Sequence, residues 1–177
     1  MIVYCATGNP GKLREFRMAA PDFDVLAISL PAPEEHGRTF DENARAKALY
    51  YGAHVDGYLF ADDSGIEVDA LGGAPGVDSA LFDNAWLLDR MRGVENRAAR
   101  FVCVIALVHN GTLVETFRGS VEGRVLEAPR GSNGFGYDPL FYYEPFGCTF
   151  GEASLEQKMR GSHRAQALAA MFTYLRG

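Results

Sequence analysis

The sequence predicts a single α/β domain, residues 1–177, with a mixed central sheet flanked by helices. Strand-like and helical segments alternate in the first third of the chain, which is typical of βαβ units with parallel pairing. Two long β-rich runs then flank Asn110-Gly111, a dipeptide typical of a tight antiparallel hairpin. With 177 residues, 47% of them hydrophobic, the chain is long and apolar enough for one packed domain.

Hydrophobic periodicity and turn residues give the elements in order. Short apolar or alternating runs predict strands at residues 2–6, 25–29, 58–61, 100–109 and 112–122. Apolar residues at helical spacing predict helices at residues 12–20, 39–55, 84–91 and 162–175, the last with Ala165, Leu168, Ala169, Phe172 and Leu175 on one face. Thr39 and Glu42 form a capping-box pattern at one helix start, and Ser162 is a typical N-cap at another.

Composition argues against several classes of protein. The formal net charge is −6, so the chain has no general attraction for a nucleic-acid backbone, and a small-molecule substrate is favoured. No apolar run approaches ~20 residues, so no membrane span is expected. The first residues lack a basic segment followed by an apolar one, which argues against a signal peptide.

The three cysteines, Cys5, Cys103 and Cys148, indicate a reducing compartment. Their number is odd, and Cys5 and Cys103 lie in apolar strand-like runs, so we expect free thiols. No pair has CxxC spacing, and zinc is not indicated. The sequence therefore predicts a soluble cytoplasmic protein.

A glycine-containing loop, Thr7-Gly8-Asn9-Pro10-Gly11-Lys12, joins the first strand to the first helix. Such a loop offers backbone N–H groups and a helix N-terminus to an anion. The charge of Lys12 is unfavourable at this end of the helix dipole, but a bound phosphate would make it favourable. The alternative is an ordinary turn with a solvated lysine, because the spacing is not that of a Walker A loop.

Asn43 and Lys47 lie within the apolar stripe of the second helix, on the face shared by Phe40, Ala44 and Tyr51. A lysine in such a stripe either snorkels past its edge or points into a phosphate site.

Asp62-Asp63 follows the apolar strand at residues 58–61, and open α/β sheets place their sites at strand C-termini. Adjacent carboxylates favour a cation, and magnesium takes oxygen ligands and bridges substrate phosphates. One of the pair is also suited to accept a proton from water. Ser64 is a phosphate donor or a turn residue, and Glu34 and Glu35 are further candidate metal ligands or solvated charges. The alternative for the pair itself is a cap or Asx-turn before Gly65.

Two later segments carry further candidate ligands. Gly134-Phe135-Gly136-Tyr137-Asp138-Pro139 holds two aromatic rings that either stack on a base or pack into the core. Lys158 and Ser162-His163-Arg164 bring ionisable groups to a helix N-terminus. An anion or a purine oxygen would account for them, and so would a salt bridge to a nearby carboxylate.

Taken together, these segments resemble the inosine triphosphate pyrophosphatase family, which hydrolyses non-standard purine nucleoside triphosphates. The resemblance runs in family order over nearly the whole chain. Besides the segments already described, it includes Thr39-Phe40, Glu42-Asn43-Ala44, Lys47-Ala48 and the stretch from Asp69 to Val77.

The resemblance implies an elongated two-lobed α/β fold with the active site in the cleft between the lobes. It implies Mg²⁺ as cofactor, a homodimer, and cleavage between the α- and β-phosphates, with Asp63 as general base. The implied metal site contains Asp62, Asp63 and Glu34 or Glu35. The implied substrate contacts are Thr7, Gly8, Asn9, Pro10, Gly11, Lys12, Asn43, Lys47, Ser64, Phe135, Gly136, Tyr137, Asp138, Lys158, His163 and Arg164.

The chain also departs from the family. Members commonly carry Tyr and Arg around the Ser-Ala that follows the Pro-Gly loop, where this chain has Asp78-Ser79-Ala80-Leu81, and the segment up to Asn84 is shorter. We expect an arginine contact to be lost there, with a different dimer surface or cleft edge. Asn133 replaces a common glycine. A pyrophosphatase for ordinary or pyrimidine nucleotides and a non-catalytic nucleotide sensor remain alternatives.

Overall fold

The computed structural model describes residues 1–177 and contains one seven-stranded sheet with the order β2-β1-β3-β4-β5-β6-β7. The strands are β1 Ile2–Ala6, β2 Asp24–Ala27, β3 Tyr58–Val68, β4 Ala98–His109, β5 Thr112–Val125, β6 Phe141–Tyr143 and β7 Cys148–Thr149. The helices are α1 Pro10–Ala19, α2 Phe40–Gly52, α3 Asn84–Arg90, α4 Leu155–Lys158 and α5 His163–Arg176.

The sheet is mixed, as predicted. β1 pairs in parallel with β2 and β3, and every later pair is antiparallel. Asn110 and Gly111 have φ values of 49° and 77°, the positive values that a two-residue hairpin turn of type I′ requires. The predicted α/β domain with a mixed sheet flanked by helices is confirmed.

Helices cover both faces of the sheet. One core packs Phe16 of α1 and Leu168 of α5 against Val3, Phe60 and neighbouring strand residues. A second core packs the small residues of α2 with Leu59 and with residues of β4, which point to the other face. The periodicity of α2 thus buries its apolar stripe, as predicted.

A third core lies toward the other end of the long strands β3, β4 and β5. It contains Ile66, Phe101 and Val125 with Leu87 of α3 and the aromatic residues of the β6–β7 region. Cores at both ends of the same strands give the two lobes that the resemblance implied.

Several element boundaries differ from prediction. β3 does not end at Ala61 but continues through Asp62-Asp63-Ser64-Gly65 to Val68, because β4 pairs with it along its whole length. The prediction that Asp62-Asp63 follows a strand end, like the alternative of a cap or Asx-turn, was therefore wrong. α1 begins earlier than expected, at Pro10, and Ala169, predicted on the buried face of α5, is exposed.

Helix length and hydropathy bear on the predicted absence of membrane spans. None of the helices is both long and apolar enough to cross a bilayer.

Candidate active site

A cleft of about 600 Å³ opens where β1 stops and β3 continues. The last parallel pair joins Ala6 to Ala61, so the next residues of β3 have β4 on one side and no β1 partner on the other. The loop that follows β1 fills part of this gap. The cleft therefore lies at the carboxyl end of a parallel strand, where open α/β sheets bind their ligands.

Asp62 and Asp63 point to opposite faces of the sheet, because successive side chains alternate along a strand. Asp62 faces α1 and α5, and Asp63 faces α2. The two carboxylates therefore have different partners and cannot act as one pair.

Asp62 is buried among cations. Its carboxylate lies 3.0 Å from Lys12 Nζ and 3.5 Å from Arg164 Nε. Burial raises the pKa of Asp62, but the attraction of Lys12, Arg164 and Lys47 outweighs it and holds the pKa well below the usual range. Asp62 is thus an ionised anchor that fixes two cations at the cleft floor.

Asp63 has fewer cationic partners than Asp62. Lys47 Nζ lies 3.9 Å from its Oδ1, while its Oδ2 is buried without a hydrogen-bond partner. Burial and the carboxylates of Glu35 and Asp62 raise the pKa of Asp63, Lys47 and Asn43 lower it, and the net result is a pKa of about 6. The Asp63 carboxyl thus has one oxygen without a hydrogen-bond partner and a pKa close to neutral pH, as a general base requires.

Lys47 connects α2 to the strand and to the loop before α2. Its Nζ donates to the Asp62 carbonyl at 2.9 Å and lies 2.6 Å from Glu35 Oε1. Asn43, one turn earlier, accepts a hydrogen bond from Gly37 N at 2.8 Å and does not line the cleft. Its amide supports the loop that carries Glu35 and faces Asp63. The structure thus gives Lys47 a place in the cleft and Asn43 a place behind it.

The Thr7–Lys12 loop is largely self-capped. Thr7 Oγ1 accepts from Asn9 N, and Asn9 Oδ1 accepts from Gly11 N and Lys12 N, which makes Asn9 the N-cap of α1. The N–H groups of Asn9, Gly11 and Lys12 are therefore already bonded within the loop. Thr7, Gly8, Asn9 and Lys12 line the cleft, whereas Pro10 and Gly11 do not.

Gly11 is required by close packing. A Cβ at Gly11 would lie 2.5 Å from Cδ1 of Phe135, so the aromatic ring rests directly on the start of α1. Lys158 Nζ and the Arg164 guanidinium lie 4.6 Å and 5.5 Å from the centre of the same ring. Phe135 is thus held between helix backbone and two cations, at a cation–π distance from both.

Glu15 of α1 joins the two sides of the cleft floor. It is 1% exposed, and its oxygens lie 2.5 Å from Lys158 Nζ and 2.6 Å from Arg164 Nη1. Lys158 also pairs with Asp138 at 2.6 Å, and Arg164 Nη2 donates to Ser64 Oγ at 2.7 Å. Side chains of alternating charge therefore form a continuous series of ion pairs from Asp62 of β3 to Asp138.

His163 begins α5 and lies against aromatic rings. Its imidazole stacks on Phe101 at 4.7 Å between ring centres, and its Nδ1 is buried without a partner. Burial lowers the pKa of His163 well below its ordinary value, and Arg164, Lys158 and Lys12 act in the same direction. The ring is therefore neutral near pH 7 and offers one donor and one acceptor nitrogen.

Two hydrogen bonds connect the short segment after Pro75 to the loop around Gly136. The Tyr137 hydroxyl donates to Ser79 O at 2.6 Å, and Asn84 Nδ2 donates to Gly136 O at 3.1 Å. Tyr137 is thus mainly a packing residue, which the sequence left as an alternative. The shortened segment forms the cleft edge, with Phe82 stacked on Trp86 at 4.3 Å.

The structure brings most of the predicted residues to one cleft. Beside the four loop residues, the predicted residues that line it are Glu35, Lys47, Asp62, Ser64, Phe135, Gly136, Tyr137, Asp138, Lys158, His163 and Arg164. Asp63 does not line the cleft, but Lys47, which does, lies 3.9 Å from its carboxylate. Glu34 is not brought in, because it is exposed and pairs with His36 at 3.1 Å.

Sequence reasoning missed two functional candidates. Glu15 follows Lys12 by three residues in the first helix. The only indication of its role in the sequence is that an acidic residue lies near an apolar stripe. Tyr51 follows Lys47 by four residues on the same helix face, where the apolar stripe predicts a core residue, but it also lines the cleft.

Comparisons with known proteins agree with this geometry. A family model described as the Ham1 family matches residues 3–174. A dITP/XTP pyrophosphatase of Acidobacterium capsulatum is 44% identical over 201 residues, covering 100% of this chain and 99% of the relative. Another, from Thermus thermophilus, is 48% identical over 186 residues, covering 97% of this chain and 90% of the relative.

Solved structures give the same result. The Ham1 protein of Staphylococcus aureus matches with a TM-score of 0.86 at 35% identity, covering 100% of this chain and 99% of that one. A HAM1 protein of Coxiella burnetii matches with a TM-score of 0.87 at 35% identity, covering 99% and 98%. Since family model, full-length relatives and solved structures agree, the chain belongs to the Ham1 family.

Proposed function

We propose that this protein hydrolyses non-standard purine nucleoside triphosphates, such as ITP, dITP and XTP, to the monophosphate and pyrophosphate. The observation that carries the proposal is one cleft that combines cations with aromatic rings. Lys12 and Lys47 line it together with Phe135 and His163, and Asp63 lies next to Lys47. We assign the two lysines to a phosphate end and the two rings to a nucleoside end. Relatives named dITP/XTP pyrophosphatases support this substrate class.

At the phosphate end, Asp63 deprotonates a water molecule that attacks the α-phosphorus, and pyrophosphate leaves. A pKa of about 6 keeps this carboxyl largely ionised at neutral pH while it still accepts a proton. Lys12 and Lys47 stabilise the charge that develops on the leaving pyrophosphate. The Ser64 hydroxyl accepts from Arg164, so its own proton is free to be donated to a phosphate oxygen.

The donor set fits a divalent cation, which we propose to be Mg²⁺. Asp63 has an orphaned carboxylate oxygen, and Glu35 lies on the other side of Lys47. No three potential ligand side chains cluster into a complete protein site. Mg²⁺ commonly uses one or two carboxylates together with substrate phosphates, so two protein carboxylates are sufficient ligands. Asp63 and Glu35 would hold the ion, which supplies positive charge to the polyphosphate; Asp62 faces other cations, and Glu34 lies outside.

At the nucleoside end, Phe135 offers a ring for stacking and the polar groups discriminate among bases. His163, Lys158 and Arg164 present donors to a purine 6-oxo group, which adenine lacks. A site built for such hydrogen bonds rejects the wrong base strongly, because its buried groups would be left unpaired. Hypoxanthine and xanthine nucleotides are therefore favoured over adenine nucleotides.

Asp63→Asn tests the catalytic assignment. Loss of the general base is expected to lower kcat for ITP by about 10²–10⁴-fold, because the amide cannot accept the water proton. Pyrophosphate and IMP release are measured with and without Mg²⁺, and circular dichroism checks the fold. Asp56→Asn, at an exposed position outside the cleft, is the matched control and should retain wild-type turnover.

The same assay separates the rival functions. A panel of ITP, XTP, ATP, GTP, CTP and UTP identifies a pyrophosphatase for ordinary or pyrimidine nucleotides by its preferred base. A nucleotide sensor would bind ITP saturably yet release no IMP. Wild-type turnover by Asp63→Asn, or no ITP hydrolysis by the wild type, contradicts the proposal.

The quaternary structure implied by the resemblance is a homodimer. Leu81 is 76% exposed beside Phe82 at the cleft edge, in the segment that departs from the family. Sedimentation velocity of the purified protein tests whether this chain forms the dimer.

A further inference from the structure

Tyr51 is packed in the core and also lines the cleft, where the mechanism above gives it no role. The residue is 6% exposed, and its ring belongs to the core under α2, where it meets Tyr50 edge-on at 5.2 Å between ring centres. Yet Tyr51 also lines the cleft. Its ring is therefore fixed by packing while one edge of the side chain faces the ligand space.

The Tyr51 hydroxyl has no hydrogen-bond partner in the protein. Tyr137, the other tyrosine that lines the cleft, donates its hydroxyl proton to Ser79 O at 2.6 Å. Tyr51 makes no comparable bond, although a tyrosine hydroxyl usually finds a partner when its ring is buried. A rigid phenol with a free donor in a binding cleft is equipped to contact a ligand acceptor.

The surroundings of Tyr51 identify the chemistry of that acceptor. Lys47 precedes it by one helical turn on the same face, and helical side chains lean toward the helix N-terminus, so Tyr51 leans toward Lys47. Glu35 pairs with Lys47 at 2.6 Å. Burial raises the pKa of the Tyr51 phenol, so the hydroxyl keeps its proton at neutral pH. A hydroxyl donor beside a lysine favours an anionic oxygen.

We infer that Tyr51 is a polyphosphate-binding residue whose hydroxyl donates to the pyrophosphate portion of the bound triphosphate. This inference rests on the proposed function and extends it to a residue outside its motifs. The pyrophosphate portion is assigned because Tyr51 lies beside Lys47 and Glu35, whereas the aromatic and histidine side chains of the nucleoside end lie on other elements. The Tyr51 hydroxyl thereby binds the pyrophosphate portion equally in the substrate and in the product, whereas Lys12 and Lys47 also stabilise the charge that develops on the leaving group.

Tyr51→Phe tests the inference, because it removes only the hydroxyl and leaves the packed ring in place. Binding of inorganic pyrophosphate in the presence of Mg²⁺ is measured by calorimetry on the full-length protein. Loss of a hydrogen bond to a charged oxygen is expected to weaken this binding by about tenfold. The KM for ITP should rise by a similar factor, with kcat changed by less than about threefold, since a binding contact is lost.

Tyr50→Phe is the matched control, because Tyr50 neighbours Tyr51 but does not line the cleft. It should bind pyrophosphate as the wild type does. Wild-type pyrophosphate affinity in Tyr51→Phe overturns the inference, and so does a loss confined to IMP binding, which would put the hydroxyl at the nucleoside. If the wild type does not cleave ITP but Tyr51→Phe still loses pyrophosphate affinity, the proposed function fails and the Tyr51 assignment stands.

Discussion

The buried carboxylate of Glu15 pairs with two cations that belong to different helices. Lys158 ends α4 and Arg164 lies in the first turn of α5, and both are almost fully buried. Taking these charges out of water is costly, and only mutual pairing offsets the cost. Glu15 thus allows two positive charges to remain under the Phe135 ring, where a bound nucleoside would meet them.

Glu15→Gln is expected to lower the free energy of unfolding by about 3–5 kcal/mol, because it leaves two buried cations short of a counter-charge. Urea denaturation followed by circular dichroism measures the change. Glu95→Gln, at an exposed position, should stay within about 0.5 kcal/mol of the wild type. Equal stabilities of the Glu15 and Glu95 variants would show that the ion pairs contribute nothing net.

The candidate site could be predicted from charges that conflict with local rules. Lys12 and Arg164 near helix N-termini and Lys47 in an apolar stripe all conflict with local preference, and all three reach the cleft. Their partners could not be predicted, because the ion pairs join residues far apart in sequence, such as Glu15 and Arg164. The sequence did not predict that Asp62 and Asp63 face opposite sides of the sheet, because this follows only if β3 continues through both residues.

At the scale of elements, Gly119 sets how closely α5 approaches the sheet. A Cβ at Gly119 of β5 would collide with the His163 carbonyl oxygen at the start of α5. The first turn of α5 therefore rests on the backbone of β5. This close approach brings His163 and Arg164 to the cleft floor.

Gly119→Ala is expected to push the start of α5 away, with a cost of about 1–3 kcal/mol in the free energy of unfolding. The KM for ITP should rise as well, because the nucleoside-facing side chains move with the helix. Gly161→Ala is the control: it lies just before the same helix, and its Cβ would make only an ordinary contact, 3.5 Å from Phe146. If both variants match the wild type in stability and KM, the close approach is not required.

The order and type of the elements followed from periodicity, but their ends did not. The βαβ units and the hairpin at Asn110-Gly111 have local signals that the structure bears out. β3 was predicted too short because Asp62-Asp63-Ser64-Gly65 has poor strand propensity. Pairing with β4 outweighs that propensity, and the polar run then becomes the cleft floor, where local rules are expected to fail.

At the scale of the whole molecule, the buried ion pairs tie α1, β3, α4 and α5 into one unit. Burial raises the pKa of Asp62 and Glu15, but the neighbouring cations outweigh it and both pKa values are lowered in the folded state. A carboxylate with a lowered pKa stabilises the fold above its unfolded pKa. That contribution is lost as pH falls, because the unfolded state then binds protons that the folded state does not.

Acid should therefore unfold the protein through these carboxylates. The free energy of unfolding is expected to fall as the pH drops below 4.5, the ordinary value for glutamate, and further below 3.8, that for aspartate. Glu15→Gln removes one titrating group, so its unfolding free energy should depend less steeply on pH in this window. Urea denaturation of both proteins at a series of pH values compares the slopes. Parallel curves would mean that Glu15 has the same pKa in the folded and unfolded chains, and the ion pairs would not then link the elements energetically.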